Sequence, residues 1–239
     1  MVANWKTNPK TAPAASRLAA VTDAENVIVA PPFVFLAAVG RVLKKSSLAA
    51  QDCYWADGAF TGAVSAAQLK NFGVKFVIVG HSERRQNFNE TDAIVAQKVR
   101  AVLEAGMRPI LCVGEPLFVR RRGLAIARNF IEKQLKRSLD GIKSGDRKER
   151  LIIAYEPVWA ISPKGKIDKP ADAAEMIRFI KNFLESKLGI KNSPVLYGGS
   201  VNARRAGDFL SFPEIDGLLV GAASRRPADF RKIIIMNHR

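Results

Sequence analysis

Three residues that can take part in acid–base chemistry follow three separate apolar segments of this sequence: Lys6, His81 and Glu156. A carboxylate can accept a proton, a neutral imidazole can donate a hydrogen bond to a carbonyl, and an ammonium group can neutralise a phosphate or a developing oxyanion. Each residue also has a structural alternative: a salt-bridged carboxylate, a histidine bonded within its own turn, or a surface lysine. If the fold brings the three together, they suit proton transfer on an anionic substrate.

The local sequence around His81 and Glu156 is compatible with acid–base roles for both residues but does not prove them. If the Ser-Glu-Arg-Arg segment at 82–85 opens a helix, its N–H dipoles disfavour a cation, so the imidazole would stay neutral. Trp159 and Ile161 follow Glu156 closely, and partial desolvation there would raise its proton affinity, as a general base requires. The local sequence therefore does not exclude a salt-bridged carboxylate at 156 or a histidine bonded within its own turn at 81.

Two glycine-bearing clusters could bind an anion. Gly198-Gly199-Ser200 and Gly221-Ala222 follow the seventh and eighth apolar segments, where barrels often hold phosphate on main-chain N–H groups. Glycine pairs usually only form turns, so each cluster alone is weak. Residues 157–167 contain prolines, a glycine and apolar side chains, which is consistent with a lid that excludes water or with an ordinary exposed loop.

Eight short apolar segments must position these residues. They are rich in Val, Ile and Leu and do not alternate with polar residues, which is typical of parallel strands buried on both faces. The predicted strands are 1–3, 26–30, 48–51, 76–80, 108–113, 151–155, 195–197 and 217–220. Amphipathic segments alternate with them, and the predicted helices are 92–105, 124–142, 170–188 and, more weakly, 32–44, 203–210 and 227–236.

This alternation predicts an α/β fold: a single (β/α)8 barrel of eight parallel strands over residues 1–239, with the first strand and first helix shortened. An open doubly wound sheet would alternate in the same way, so the pattern does not prove closure. Parallel strands direct their carboxyl ends to one rim. The polar clusters after the strands are therefore expected to converge there.

Composition limits the class of protein. No apolar run approaches the length of a membrane span and no signal-peptide pattern opens the chain, so we expect no membrane association. Cys53 and Cys112 are far apart in sequence, which argues against a disulfide framework and fits a reducing cytoplasm.

The net charge of +16 comes from 38 basic and 22 acidic residues. Residues 120–150 hold eleven Lys or Arg against four Asp or Glu. A basic balance suits an anionic substrate or a nucleic acid. A solvated surface is the interpretation that we favour, and nucleic-acid binding, which the charge alone would permit, is not expected.

The strand-end clusters, taken in order, resemble those of the triosephosphate isomerase family over almost the whole chain. The motifs are Asn-Trp-Lys at 4–6, Val-Gly-His-Ser-Glu-Arg-Arg at 79–85, Ala-Tyr-Glu-Pro-Val-Trp-Ala-Ile at 154–161, Tyr-Gly-Gly-Ser-Val at 197–201 and Gly-Leu-Leu-Val-Gly at 217–221. The resemblance implies a cytoplasmic isomerase of glycolysis and gluconeogenesis that interconverts dihydroxyacetone phosphate and D-glyceraldehyde 3-phosphate without a metal or cofactor. A barrel acting on another sugar phosphate is the rival, but it need not share these residue types.

The resemblance also implies catalytic roles. Glu156 would be the base that moves a proton between C1 and C2, and His81 the neutral electrophile, a pairing already described for this family. Lys6 would stabilise substrate and transition-state charge, and Asn4 and Glu83 would support the site. Of these, Asn4 and Lys6 would contact substrate.

By the same resemblance, main-chain N–H groups of Ser162, Ser200, Gly221 and Ala222 would hold the phosphate. Residues 52–62, with the motif Gly-Ala-Phe-Thr-Gly around Thr61, resemble the loop that clasps a partner, so we expect a homodimer. Without a partner, such a loop would expose Tyr54, Trp55 and Phe60.

Three positions depart from the family pattern. Ser162-Pro163-Lys164 replaces the usual Gly-Thr of the lid and makes it one residue longer, with a proline that has no N–H. Ala222 stands where a second glycine is common, and alanine would be strained there if φ were positive. Arg205 replaces a usual asparagine.

Overall fold

The computed structural model describes residues 1–142, 151–161 and 168–236. Eight parallel strands close into a barrel in which each strand pairs with the next and β8 pairs with β1. The strands are β1 (Val2–Asn4), β2 (Ile28–Ala30), β3 (Ser47–Ala50), β4 (Phe76–Val79), β5 (Arg108–Val113), β6 (Ile152–Tyr155), β7 (Val195–Tyr197) and β8 (Gly217–Val220). The predicted barrel is confirmed, and every strand lies within two residues of its predicted bounds.

Helices cover the outside of the barrel between the strands. In the described ranges they are α1 (Ala12–Thr22), α2 (Leu36–Gly40), α3 (Ala66–Asn71), α4 (Ser82–Asn87), α5 (Asp92–Glu104), α6 (Leu117–Arg120), α7 (Leu124–Ser138), α8 (Pro170–Leu188), α9 (Ala206–Leu210) and α10 (Pro227–Met236). None of these helices combines the length and the apolar character that a membrane crossing requires.

Several helix predictions need correction. The helix predicted over 32–44 is divided into a 3-10 turn at Phe33–Phe35 and the short α2, and α9 begins three residues later than predicted. The helix predicted over 124–142 ends at Ser138, before Gly141 adopts a φ of 74°. The first helix was predicted as shortened and without bounds; α1 begins after Thr11, whose side chain caps the helix by accepting a hydrogen bond from the Ala14 N–H.

The shortened first strand still closes the barrel. β1 has three residues, as do β2 and β7. Val2 is in register with Ile28 on one side and with Leu219 on the other. The first helix, α1, has 11 residues.

The core has two layers because successive strand side chains point to opposite faces. One buried cluster contains only strand residues, among them Ile78, Ile110 and Leu219, and fills the barrel. The other joins the alternate strand positions, such as Val77 and Leu111, to the buried faces of the helices. Both faces of the sheet are therefore apolar, which explains why the strands show no polar alternation.

A buried group of charges ties the segment after β3 to α4 and α5. Lys98 is 2% exposed, and its ammonium group lies 2.7 Å and 2.8 Å from the two carboxylate oxygens of Asp52 and also bonds Glu90. The Arg84 Nε lies 2.9 Å from Asp52 Oδ2 and 2.6 Å from Glu90 Oε1. Burial raises the pKa of Asp52, but the two cations oppose this shift. Two carboxylates paired with two cations leave this cluster close to neutral.

Two isoleucines on α7 test how the outer core layer stabilises the barrel. Ile131 is completely buried, whereas Ile126 is 40% exposed. We expect Ile131→Ala to lower the free energy of unfolding by about 3 kcal/mol, because it removes buried apolar surface and leaves a cavity. Ile126→Ala, the matched control, should cost less than about 1 kcal/mol. Urea titration measures both, and equal losses would contradict the assignment of the buried face.

Candidate active site

The predicted site residues converge on one cavity of about 560 Å³ at the carboxyl ends of the strands. Its lining includes every predicted catalytic and substrate-binding residue in the described ranges: Asn4, Lys6, His81, Glu83, Glu156, Ser200, Gly221 and Ala222. Ser162 and the lid residues Pro163 and Lys164 lie outside the described residues. Thr61 is exposed in the segment after β3 and does not line this cavity.

The main chain fixes the orientation of the His81 ring. His81 is the N-terminal cap of α4, and its Nδ1 accepts a hydrogen bond from the Glu83 N–H at 3.2 Å. Since an accepting Nδ1 carries no proton, the single ring proton lies on Nε2. The neutral imidazole stays a prediction, and in that form its Nε2–H is available as a donor.

Glu156 faces this imidazole from the end of β6. The side chain is buried at 2% exposure, and its Oε2 accepts a hydrogen bond from the Ser82 N–H at 3.0 Å. Its Oε1 lies 3.1 Å from His81 Nε2 and has no well-aligned hydrogen-bond partner among the described residues. The site therefore presents one anchored and one available carboxylate oxygen.

Two glycines make room for Glu156. A Cβ at Gly114 would lie 1.7 Å from the Glu156 carbonyl oxygen, and a Cβ at Gly198 would lie 2.8 Å from Glu156 Cγ. The Glu156 N–H donates to the Val113 carbonyl at 2.7 Å. The strands on either side thus fix the carboxylate through close main-chain approach, which only glycine permits at these positions.

Lys6 adopts an unusual main-chain conformation, with a φ of 54°. Asn4 Oδ1 accepts from the Lys6 N–H at 3.1 Å, and Gln51 Nε2 donates at 2.8 Å to the carbonyls of both Lys6 and Ala30. A left-handed lysine costs free energy, and these contacts offset that cost. Gln51 had no predicted role, although a polar residue directly after the apolar β3 was an available signal.

Two charged side chains that line the cavity, Lys6 and Glu83, are paired. Lys6 Nζ bonds Glu83 Oε1 at 2.5 Å, and the other carboxylate oxygen of Glu83 lies 3.9 Å from His81 Nδ1. The Lys6 and Glu83 side chains are 30% and 42% exposed, so water screens their interaction. Lys6 is thus poised near the imidazole without being buried.

The turns after β7 and β8 line the cavity together. The Ser200 N–H donates to the Ala160 carbonyl at 3.0 Å. Gly221 has a φ of −86° and precedes a 3-10 turn at Ala222–Arg225. Ala222 is not among the residues with positive φ, so the conditional strain expected there does not arise.

Known proteins resemble this chain over most of its length. The family described as triosephosphate isomerase matches residues 1–237 of the chain. A triosephosphate isomerase of Aquifex aeolicus (strain VF5) is 43% identical over 218 residues, covering 89% of this chain and 86% of the relative. That of Syntrophotalea carbinolica is 41% identical over 243 residues, covering 97% and 95%. The chain belongs to the triosephosphate isomerase family.

Two buried carboxylates beside the family's motifs had no predicted role. Glu115 is fully buried and accepts hydrogen bonds from the Tyr155 hydroxyl at 3.1 Å and from Trp159 Nε1 at 3.0 Å. Burial raises its pKa. Asp168 is 3% exposed and lies against Tyr197 and Arg205. The contacts of these two carboxylates in the folded structure single them out, whereas their positions in the sequence do not.

The described part of the basic segment, residues 120–142, does not contribute to the cavity lining described above. Arg120 lies 3.9 Å from Glu115 and 3.6 Å from Asp172, whereas Arg121 and Arg122 are exposed. Residues 143–150 lie outside the described ranges. In the described part of the chain, no three His, Cys, Asp or Glu side chains are grouped as a metal ion would need.

The protonation of His81 can be tested directly. We expect the imidazole nitrogen resonances of His81 at pH 7 to show the neutral tautomer with the proton on Nε2, because Nδ1 accepts the Glu83 N–H. Nitrogen-15 NMR of the histidine-labelled chain measures this, and His81→Gln assigns the signal. A protonated Nδ1 would contradict the hydrogen-bond assignment.

Proposed function

We propose that residues 1–239 form a single catalytic domain that interconverts dihydroxyacetone phosphate and D-glyceraldehyde 3-phosphate in glycolysis and gluconeogenesis. The observation that carries this proposal is the 3.1 Å approach of Glu156 Oε1 to His81 Nε2. The two atoms meet in a cavity that also contains the glycine-bearing turns after β7 and β8. Family membership supports the same reaction.

Glu156 is the base. Its carboxylate removes a proton from C1 of dihydroxyacetone phosphate, and the C–H electron pair forms a C1–C2 double bond while the carbonyl electrons move to O2. Returning the proton to C2, with transfer of a proton between the oxygens, gives the aldehyde. The same steps in reverse consume the aldehyde. Substrate and product are isomers, so no electrons are gained or lost overall.

His81 polarises the carbonyl. Its Nε2–H points the single ring proton toward the cavity, where it can donate to the substrate oxygens as negative charge develops. A neutral donor matches an enediolate better than a cation would, since the proton can be shared and returned between two oxygens of similar basicity. Glu83 supports this role through the N–H that it donates to Nδ1.

Lys6 stabilises the charge of the substrate and the transition state. In the described chain it is paired with Glu83, so a bound dianion would share the ammonium group with that carboxylate or draw it away. Asn4 contributes by accepting the Lys6 N–H, which holds the lysine in its left-handed conformation. Asn4 and Lys6 both line the cavity and are proposed to contact the substrate.

The phosphate is proposed to bind to main-chain N–H groups of Ser200, Gly221 and Ala222, and of Ser162, which lies outside the described residues. Binding at Ser200 requires its hydrogen bond to the Ala160 carbonyl to be exchanged for one to the ligand, or shared with it. The reaction needs no metal or cofactor, because the substrate carbonyl acidifies the adjacent C–H and fixed dipoles stabilise the enediolate.

A coupled assay tests the proposed function. D-glyceraldehyde 3-phosphate is supplied, and the dihydroxyacetone phosphate produced is reduced by a dehydrogenase that consumes NADH. We expect NADH oxidation to depend on this chain and to saturate with substrate. Absence of isomerisation by the folded wild-type chain would refute the proposal.

Glu156→Asp tests the base. Shortening the side chain by one methylene withdraws the carboxylate by about 1 Å, which should lower kcat on the order of 100-fold. The free energy of unfolding should change far less than this loss implies. Glu185→Asp on the exposed side of α8 is the matched control and should leave kcat unchanged. An unchanged rate in Glu156→Asp would remove Glu156 from the mechanism.

We propose that the chain forms a homodimer through residues 52–62, including Thr61. Phe33, Val34, Phe60 and Phe88 are exposed and follow β2, β3 and β4, which are neighbours in the barrel. Val34 is 82% exposed and Phe88 is 64% exposed, more than a solvated surface normally tolerates in one region. The expectation for Tyr54 and Trp55 needs correction, because these rings stack on each other at 4.0 Å and are half-buried.

Phe60→Asp tests the dimer. A charge placed in an apolar interface should shift the chain to monomer at micromolar concentration in sedimentation velocity. Phe72→Asp is the matched control: Phe72 is 55% exposed but lies at the end of α3, toward the opposite rim, and should leave the dimer intact. A stable, active wild-type monomer under these conditions would refute the proposal.

We also propose a cytoplasmic location. Cys53 and Cys112 are both free and buried, and burial raises the pKa of each thiol. Two unpaired cysteines suit a reducing compartment.

A further inference from the structure

Asp168 belongs to a closed ring of four contacts beside the cavity. The Tyr197 hydroxyl donates to Asp168 Oδ2 at 3.3 Å, and Arg205 Nη2 donates to the Asp168 carbonyl at 2.7 Å. The Arg205 guanidinium lies 5.3 Å from the centre of the Phe209 ring, and Phe209 stacks on Tyr197 at 4.2 Å. Each of the four residues thus contacts two of the other three.

The Tyr197 hydroxyl lies directly against the turn that follows β7. A Cβ at Gly199 would lie 2.1 Å from Tyr197 Oη, so the hydroxyl occupies the space that a side chain at 199 would need. Ser200 is the next residue, and its N–H faces the Ala160 carbonyl. A movement of the tyrosine ring or hydroxyl would therefore displace the main chain between Gly199 and Ser200.

We propose that Asp168, held by Arg205, is a positioning residue that fixes the Tyr197 hydroxyl against Gly199 and so sets the main-chain turn that binds the substrate phosphate. This inference rests on the proposed function, because it assumes that the N–H of Ser200 is a phosphate ligand. Asp168 touches neither the substrate nor the reacting atoms and acts through Tyr197. Holding Asp168 also gives a role to Arg205, which departs from the family pattern.

The environment of Asp168 argues against a purely stabilising role. Its Oδ1 has no hydrogen-bond partner among the described residues, and burial raises its pKa to about 6. An acid whose pKa is higher in the folded than in the unfolded chain favours folding when protonated. The ionised form present at neutral pH therefore destabilises the fold. A buried charge retained at such a cost is typical of functional sites.

The charges around Asp168 determine how its effect depends on pH. Arg120 at the end of α6 and the Lys169 N–H lower its pKa, and Asp172 on α8 raises it. Tyr197 donates to it from β7, Arg205 approaches from the segment before α9, and Glu115 after β5 contributes a further negative charge near Tyr197. Above a pH of about 6 the Tyr197 hydroxyl has a charged acceptor, and below it a neutral one.

A double-mutant cycle tests the proposal, with sulfate as the probe because it stays a dianion at every pH used. Asp168→Asn, Tyr197→Phe and the double variant are compared with the wild type for sulfate inhibition, KM and kcat. Each single change should raise the sulfate inhibition constant and KM about fivefold, with kcat altered less than about twofold. Because Asp168→Asn takes the charge from the acceptor and Tyr197→Phe removes the same hydrogen bond, the double variant should be no weaker than the weaker single variant.

Two further measurements separate positioning from structure. Asp168→Asn should raise the Tm at pH 7 by about 3 °C, because it removes a buried charge. The sulfate inhibition constant of Asp168→Asn should exceed that of the wild type at neutral pH, and the ratio of the two constants should fall as pH falls through about 6. Glu185→Gln, which removes an exposed carboxylate on α8, is the matched control and should change none of these quantities.

Additive losses in the cycle would overturn the inference, as would unchanged sulfate binding in Asp168→Asn. Should Asp168→Asn fail to fold, Tyr197→Phe and Arg205→Lys provide the same comparison of sulfate binding with kcat. An inactive wild type would instead refute the proposed function, so the two failures are distinguishable.

Discussion

Pairing between β8 and β1 is the constraint on which the rest of the structure depends. A closed parallel barrel has no edge strand, and it places every carboxyl end on the same rim. Lys6, His81 and Glu156 are remote in sequence, yet they line one cavity because β1, β4 and β6 all end there. The three residues of β1 are enough, since each register contact with its neighbours is made by the main chain.

Much of this arrangement is encoded in residue type and order. Strands buried on both faces consist of uninterrupted apolar residues, so their limits could be predicted closely, and the chemically capable residues stand immediately after them. Short helices escaped prediction because α3 and α6, with six and four residues, are too brief to show a helical period. The capping box of Ser65 and Gln68 at the start of α3 was a usable signal.

The remainder of the site depends on tertiary contacts that spacing does not reveal. The Ser82 N–H that holds Glu156, the Gln51 amide that holds Lys6 and the bond between Asp168 and Tyr197 each join different parts of the chain. Main-chain donors and acceptors are present at every residue, so only the folded geometry shows which of them are used. The orientation of the His81 ring follows from such a contact as well.

Gly114 illustrates how main-chain packing limits the variation open to this lineage. The carbonyl of Glu156 occupies the space where any side chain at 114 would begin, whatever its chemistry. Neighbouring side chains can adjust to a larger residue, but two backbones in contact cannot separate without opening the barrel wall between β5 and β6. Evolutionary change near the base is thus directed away from this position and toward the surrounding loops.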